Sequence, residues 1–194
     1  MNDIKNILLV GVGGQGVLTA SEILSEALML EGFDVKKAEV HGMSQRGGSV
    51  NSHLRYGPKV YSPLIEEGKA DIIFSFELVE ALRYSNYLKE EGFIVCSNEK
   101  IIPNSVYFSQ VKYPKDPAGA LKTAFGKKFY LIDAVKIAGE LGNVRFANVV
   151  LLGTVSHLMK ISDISMKKAI ESMVPPKYVT ENLNAFEKGK ELAK

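Results

Sequence analysis

Residues 7–16, ILLVGVGGQG, join an apolar run to a loop that contains four glycines. The apolar run is typical of a strand that is buried on both faces of a sheet. Apolar residues at helical spacing from Val17 to Leu28 then predict a helix that ends near Gly32. The segment FDVKKAEV at residues 33–40 is rich in β-forming residues and predicts a second strand. A strand, a helix and a strand with short connections predict a parallel unit of an α/β fold.

The loop GVGGQG fits the pattern G-x-G-x-x-G of dinucleotide-binding proteins. Glycines allow a tight turn and the close approach of a ligand, and the start of the following helix favours an anion. The pattern also requires an acidic residue about 20 positions later, and Glu39 lies near the end of the second strand. A bound dinucleotide is one interpretation, and close packing of strand against helix without a cofactor is the other. The candidate residues of this loop are Gly11, Gly13, Gly14, Gln15 and Gly16.

A second glycine-containing loop, HGMSQRGG at residues 41–48, follows the second strand. It is therefore expected at the same carboxyl edge of the sheet as the first loop. Its arginine could reach an anion or a partner's carboxylate, and the loop would occupy the space of a dinucleotide's ribose. A polar turn whose glycines only satisfy backbone geometry is the alternative. Its candidate residues for cofactor or interface contacts are His41, Ser44, Gln45, Arg46, Gly47 and Gly48.

Glu77 follows the apolar run ADIIFSF at residues 70–76, which predicts a central buried strand. Its carboxylate would face the same edge as the two loops, where it is a further site candidate. It would also be favourable at the N-terminus of the next helix, which is the structural interpretation.

The remaining pattern predicts the α/β class, with a Rossmann-like, doubly wound, mainly parallel sheet and a helical C-terminal portion. The helical character begins near Asn143, and a single domain is expected over residues 1–194. Further strands are predicted at SVNSHLRYG (49–57), FIVCSN (93–98), SVYFSQV (105–111) and FYLI (129–132).

Composition limits the function. A net charge of +2 gives no indication of nucleic-acid binding, and no apolar run approaches the length of a membrane span. Without a signal peptide, the expected location is cytoplasmic. Cys96 is the single cysteine, so it cannot build an iron–sulfur site alone, and its apolar context predicts a buried structural thiol. The three histidines match no metal-ligand spacing, and no metal site is predicted.

Three blocks of the sequence, in order, resemble the gamma-type chain of the 2-oxoacid:ferredoxin oxidoreductases. They are GVGGQGVLTASEILSEA, HGMSQRGGSVNSHLRYG and YSPLIEEGKADIIFSFELVEALR. The segment HGMSQRGG is most similar to the corresponding segment of the small (beta) subunit of indolepyruvate:ferredoxin oxidoreductase. NVVLLG at residues 148–153 and VPPKYVTENLNAFEKG at residues 174–189 extend the resemblance over nearly the whole chain.

The resemblance implies a pyruvate/ketoisovalerate oxidoreductase gamma-type domain over residues 1–194, a component of an enzyme that makes acyl-CoA, CO2 and reduced ferredoxin. In that family the thiamine diphosphate, Mg²⁺ and iron–sulfur sites belong to the large (alpha-type) subunit, coenzyme A accepts the acyl group, and ferredoxin is reached through the complex. Two alternatives stay open: a stand-alone NAD(P)-binding dehydrogenase, and a cofactor-free scaffold or regulatory module.

Overall fold

The computed structural model describes residues 4–41, 47–102 and 112–193. Strands and helices are interspersed in the first two thirds, where three strands follow one another without a helix between them, and helices dominate the last third. In chain order the described elements are β1 (Lys5–Val12), α1 (Val17–Leu30), β2 (Asp34–His41), β3 (Ser49–Gly57), β4 (Ala70–Ser75), α2 (Leu78–Arg83), β5 (Leu88–Ser97), α3 (Pro117–Phe125), β6 (Phe129–Ile132), α4 (Ala134–Glu140), α5 (Ala147–Met159), α6 (Asp163–Met173) and α7 (Val179–Glu191).

The sheet has the strand order β2-β3-β1-β4-β5-β6. The pairs β1–β4, β4–β5 and β5–β6 are parallel, whereas β3 is antiparallel to both β1 and β2. The predicted α/β class and mainly parallel sheet are confirmed. The expectation that β1 and β2 form a simple parallel unit needs correction, because β3 returns as an antiparallel partner of β2 and lies between them.

Helices cover both faces of the sheet, as the doubly wound prediction requires. Alternate residues of β1 point to opposite faces: Ile7 and Leu9 pack in the core beneath α1 and α5, while Leu8 and Val10 pack beneath α2 and α3. All four side chains are fully buried. The unbroken apolar run of β1 is therefore explained by burial from two sides.

The helical C-terminal portion is confirmed as α5, α6 and α7. The strand predicted at residues 129–132 is β6, and the central strand predicted after Lys69 is β4, which is buried along its whole length. The strand predicted at residues 105–111 lies outside the described residues.

Candidate functional site

The end of the second glycine-containing loop, at Gly47 and Gly48, lies against the first loop at the carboxyl edge of the sheet. The backbone N–H of Gly13 donates to the carbonyl of Gly48 at 2.9 Å, and Gly47 has a φ of 77°. His41 is the last residue of β2. The candidates Ser44, Gln45 and Arg46 lie outside the described residues. Among the described residues, the contact between the two loops is this hydrogen bond between Gly13 and Gly48.

Gln15 fills the interior of the first loop. Its side-chain carbonyl accepts from the N–H of Val12 at 2.8 Å, and its amide donates to the carbonyl of Phe76 at 2.8 Å. The side chain therefore ties the loop to the end of β4. Its role could not be read from the G-x-G-x-x-G pattern, in which this position is variable.

Gly11 has no room for a side chain. A Cβ atom there would lie 2.8 Å from Cγ2 of Val17 and 2.9 Å from Cβ of Phe76, closer than van der Waals contact allows. Gly16 caps α1 with a φ of 84°, in the left-handed region that favours glycine. Both glycines are thus explained by packing and backbone geometry, which supports the cofactor-free interpretation of the pattern.

Glu39 does not stand beside the glycine loop. In the ladder it lies opposite Ser52 of β3, which in turn lies opposite Leu9 of β1. Two strand spacings, about 10 Å, separate it from β1, and its carboxylate pairs with Lys37 at 2.7 Å. The acidic residue that matched the dinucleotide pattern by spacing is displaced because β3 is inserted.

Glu77 is almost completely buried, with 1% of its surface exposed. Its Oε2 atom accepts from the N–H groups of Val79 and Glu80 at 2.6 and 2.9 Å, which caps α2. Its Oε1 atom accepts from the N–H of Ile101 at 3.2 Å and the hydroxyl of Tyr113 at 2.5 Å. Burial, with this carboxylate nearby, raises the pKa of Tyr113. The structural interpretation of Glu77 as a helix cap is confirmed by these contacts.

A cleft of about 590 Å³ opens beside the first loop, between it and the start of α5. Gly14, Gln15 and Gly16 line one side, and Arg145 and Asn148 line the other. The first turn of α1 carries no acidic side chain and no side-chain cap. Its N–H groups and the exposed guanidinium of Arg145 are suited to an anionic group of a ligand or partner.

The cleft also has an acidic wall. Glu99 lines it, and burial together with the charge of Glu77 raises the pKa of the Glu99 carboxyl. Sequence reasoning missed Arg145, Asn148 and Glu99. They come from segments far from the glycine loop in sequence, and none carries a local pattern that places it there.

Other polar candidates have structural explanations. Cys96 is buried, burial raises the pKa of its thiol, and the thiol donates to the carbonyl of Ser97 with an Sγ–O distance of 3.2 Å. The predicted structural thiol is confirmed. His53 is buried, its Nδ1 accepts from the N–H of Ile65 at 3.1 Å, and burial lowers its pKa. Within the described ranges, no three His, Cys, Asp or Glu side chains are grouped as metal ligands would be.

Comparison with known proteins gives a match that spans the chain. The family described as pyruvate ferredoxin/flavodoxin oxidoreductase matches residues 6–192. The chain belongs to this family. Among the oxidoreductase relatives, indolepyruvate oxidoreductase subunit IorB of Thermococcus kodakarensis is 45% identical over 97% of this chain and 96% of its own length. The subunit of the same name from Pyrococcus horikoshii is 44% identical over the same shares.

Solved structures of the oxidoreductase family share the fold. The gamma subunit of a keto/oxoacid ferredoxin oxidoreductase from Geobacter sulfurreducens has a TM-score of 0.72 and 24% identity, and the match covers 97% of this chain and 98% of that one. A 2-oxoglutarate:ferredoxin oxidoreductase from Magnetococcus marinus has a TM-score of 0.74 and 21% identity, covering all of this chain and 31% of that one. Among the helices that the structure describes, none combines the length and apolar composition needed to cross a membrane.

Proposed function

We propose that this chain is the small subunit of a 2-oxoacid:ferredoxin oxidoreductase whose substrate is indolepyruvate or a related arylpyruvate. The observation that carries the proposal is the 45% identity to an indolepyruvate oxidoreductase subunit over nearly the full length of both chains. Residues 1–194 then act as one gamma-type domain in the cytoplasm. The assembled enzyme makes acyl-CoA, CO2 and reduced ferredoxin.

The large, alpha-type subunit is the proposed partner and the proposed holder of thiamine diphosphate, Mg²⁺ and the clusters. The residues of this chain do not fit an iron–sulfur cluster, because its single cysteine is buried with its S–H against a backbone carbonyl. Nor is the Glu77 carboxylate available to a cofactor, since both of its oxygens accept hydrogen bonds.

The carboxyl-edge cleft is the proposed contact with the partner or with an anionic group that the partner holds, such as a phosphate of coenzyme A. Arg145 and the first turn of α1 provide complementary positive potential there. Arg46 and its neighbours in the second loop are proposed to contribute to the same interface. Gln15 and Glu77 stabilise this edge from inside and are expected to act through the shape of the loops.

Two features of the structure, one in the glycine loop and one in the strand order, disfavour the dehydrogenase alternative. Gln15 occupies its interior, and β3 separates Glu39 from β1. A dinucleotide bound as in a Rossmann fold requires the acidic side chain next to the first strand. A cofactor-free scaffold would share the same internal packing, so the subunit and scaffold functions are separated by assembly and activity.

The experiment is anaerobic reconstitution of this chain with its co-expressed large subunit, followed by measurement of coenzyme A-dependent ferredoxin reduction. The complex is expected to use indolepyruvate in preference to pyruvate or 2-oxoglutarate, and the isolated chain is expected to be inactive. A scaffold would assemble without contributing to turnover. Calorimetry that gave the isolated chain micromolar affinity for NADH, about −8 kcal/mol, would favour the dehydrogenase instead.

A variant pair tests the cleft. Arg145→Ala is expected to lower activity or assembly of the complex about tenfold or more, because a desolvated charge contact at an interface is worth about 2–5 kcal/mol. The melting temperature of the free chain should hardly change, since Arg145 is exposed. Lys136→Ala, an exposed change on α4 that does not line the cleft, is the matched control. Equal activity of the two variants would contradict a role for Arg145 in the interface.

A further inference from the structure

A second cavity, of about 570 Å³, lies at the opposite edge of the sheet, where β1, β4 and β5 begin. It opens between the carboxyl ends of α1 and α5. Its walls combine apolar and charged side chains, and neither the glycine loop nor Arg145 contributes to it. The apolar part is formed mainly by Leu28, Phe33, Phe93 and Met159.

Tyr56 brings a polar atom into this apolar wall. The residue is only 6% exposed, and its ring packs edge-on against Phe33 with centroids 5.3 Å apart. Burial, with the charges of Asp71 and Glu31 nearby, raises the pKa of Tyr56 to about 12, so it is a neutral hydroxyl at physiological pH. Among the described residues this hydroxyl has no hydrogen-bond partner, and it is not sealed from solvent, since the buried side-chain atoms without a partner are Oδ1 of Asn51 and Oγ of Ser52. The hydroxyl is therefore accessible to a ligand in the cavity.

One charged cluster of the cavity contains two lysines, Lys5 and Lys89, and one aspartate, Asp71. Lys89 and Lys5 both pair with Oδ1 of Asp71, at 2.5 and 3.6 Å. The other oxygen of Asp71 accepts from the N–H of Asn6 at 2.8 Å. Two ammonium groups therefore share one carboxylate that is already fully engaged. This side of the cavity favours a further anionic group.

Two further carboxylates line the cavity at the end of α1 and at the rim, together with the ammonium group of Lys160. Glu31 caps the end of α1, and its Oε1 accepts from the N–H of Ser162 at 2.8 Å. The carboxyl end of a helix favours a cation, and Glu91 adds a carboxylate at the exposed rim. Lys160 completes the rim with a φ of 58°, the one positive φ of a non-glycine residue in the described chain. The cavity thus presents both signs of charge beside an apolar surface.

We propose that this cavity binds an α-amino acid with a large apolar side chain. The carboxylate of the ligand meets Lys5 and Lys89 and accepts from the hydroxyl of Tyr56. Its ammonium group faces Glu31 and the end of α1, and its side chain covers the apolar wall. A simple apolar acid would leave Glu31 and the end of α1 without a cation, a simple amine would leave the two lysines unpaired, and glycine would leave the apolar wall in water.

The test is calorimetric titration of the full chain with L-phenylalanine and with three probes that each lack one part of it. 3-Phenylpropanoate lacks the ammonium group, phenethylamine lacks the carboxylate, and glycine lacks the ring. Saturable binding of L-phenylalanine is expected with a Kd of about 1 mM or tighter, and each of the other three should bind about tenfold more weakly. A difference spectrum of tyrosine in the near ultraviolet should accompany the binding of L-phenylalanine.

Variants locate the site. Tyr56→Phe keeps the ring and its packing and should weaken binding about fivefold, and it should abolish the tyrosine difference spectrum. Lys89→Met should weaken binding of L-phenylalanine without changing that of phenethylamine. Lys59→Met removes a comparable surface lysine, which pairs with Asp34 at 3.8 Å outside the cavity, and should change nothing. The melting temperature of each variant is measured first.

Three results would overturn the proposal. One is the absence of saturable heat with L-phenylalanine, and a second is equal binding of phenethylamine or 3-phenylpropanoate. The third is unchanged affinity in a folded Tyr56→Phe variant. If that variant does not fold, the probe series on the unaltered chain and Lys89→Met decide the matter. None of these measurements requires ferredoxin or the large subunit, so the proposal stands or falls independently of the subunit function.

Discussion

The two edges of the sheet differ in how their polar side chains are paired. At the carboxyl edge, Gln15 and Glu77 satisfy backbone groups of the loops that would otherwise be unpaired. At the amino edge, the hydroxyl of Tyr56 faces a cavity, and two lysines crowd one aspartate. Gln15 and Glu77 therefore hold the loops of the carboxyl edge from inside, whereas Tyr56 and the two lysines line an open cavity. This pairing belongs to Gln15 and Glu77 and not to the whole carboxyl edge, because Oδ1 of Asn51 and Oγ of Ser52 on β3 are buried without a partner among the described residues.

The largest expected effect comes from breaking the carboxyl edge at Glu77. Glu77→Ala would leave four donors without their acceptor: three backbone N–H groups and the hydroxyl of Tyr113. Each unpaired buried donor costs about 1–3 kcal/mol. With partial relaxation we expect a loss of about 4 kcal/mol in the free energy of unfolding, or about 10 °C in Tm. Urea denaturation and thermal melting check this.

Two controls accompany the Glu77 measurement. Glu77→Gln keeps one acceptor oxygen and should lose about half as much stability. Glu67→Ala changes an exposed carboxylate and should have no measurable effect. A Glu77→Ala protein that melted like the unaltered chain would show that this edge does not depend on its buried carboxylate.

Tyr56, at the amino edge of the sheet, should make the free energy of unfolding depend on pH in the alkaline range. The pKa of Tyr56 is about 12 in the folded chain against 10.0 for an ordinary tyrosine. The unfolded chain therefore releases this proton first, so the stability contributed below pH 10 is lost as the pH rises toward about 12. The contribution is at most about 2–3 kcal/mol. The free energy of unfolding should fall less steeply over this range in Tyr56→Phe, and parallel curves for the two proteins would refute the assignment.

The smallest effect is expected for Gln15. Gln15→Ala removes an acceptor from the N–H of Val12 and a donor from the carbonyl of Phe76. We expect a loss of about 1–2 kcal/mol in the free energy of unfolding, since the site is only partly buried. Emptying the loop should not create a dinucleotide site, because Glu39 stays two strands away. Micromolar binding of NADH by this variant would contradict that conclusion.

The elements of the fold could be predicted because each has a local signal. The apolar run before Gly11 gave β1, the helical spacing after Gly16 gave α1, and ADIIFSF gave β4. The insertion of β3 between β1 and β2 could not be predicted in this way. Strand order is decided by pairing between distant segments, and the sequence from Ser49 to Gly57 carries no sign of which strands it will join.

The candidate site could be predicted only where its residues have a local signal. Glu77 stands directly before a helix, so its capping role was a local inference that the contacts confirm. Its bond to Tyr113 spans 36 positions, and the bond from Gln15 to Phe76 spans 61. No pattern in a single sequence reports such pairs. Arg145 was missed likewise, because its surroundings are assembled from four or more separate segments.

The place of β1 within the sheet has a consequence for the synthesis of the chain. β1 is made before both of its partners: Lys5 lies opposite Tyr56 of β3, and Ile7 lies opposite Ile72 of β4. A strand whose central residues, Ile7 to Val10, are all apolar must therefore stay unpaired until β3 and β4 have been translated. Exposed strand edges of this kind are prone to aggregation during folding. During that interval the nearest segment that can cover Ile7 and Leu9 is α1, which follows the glycine loop and packs against these two residues in the folded chain.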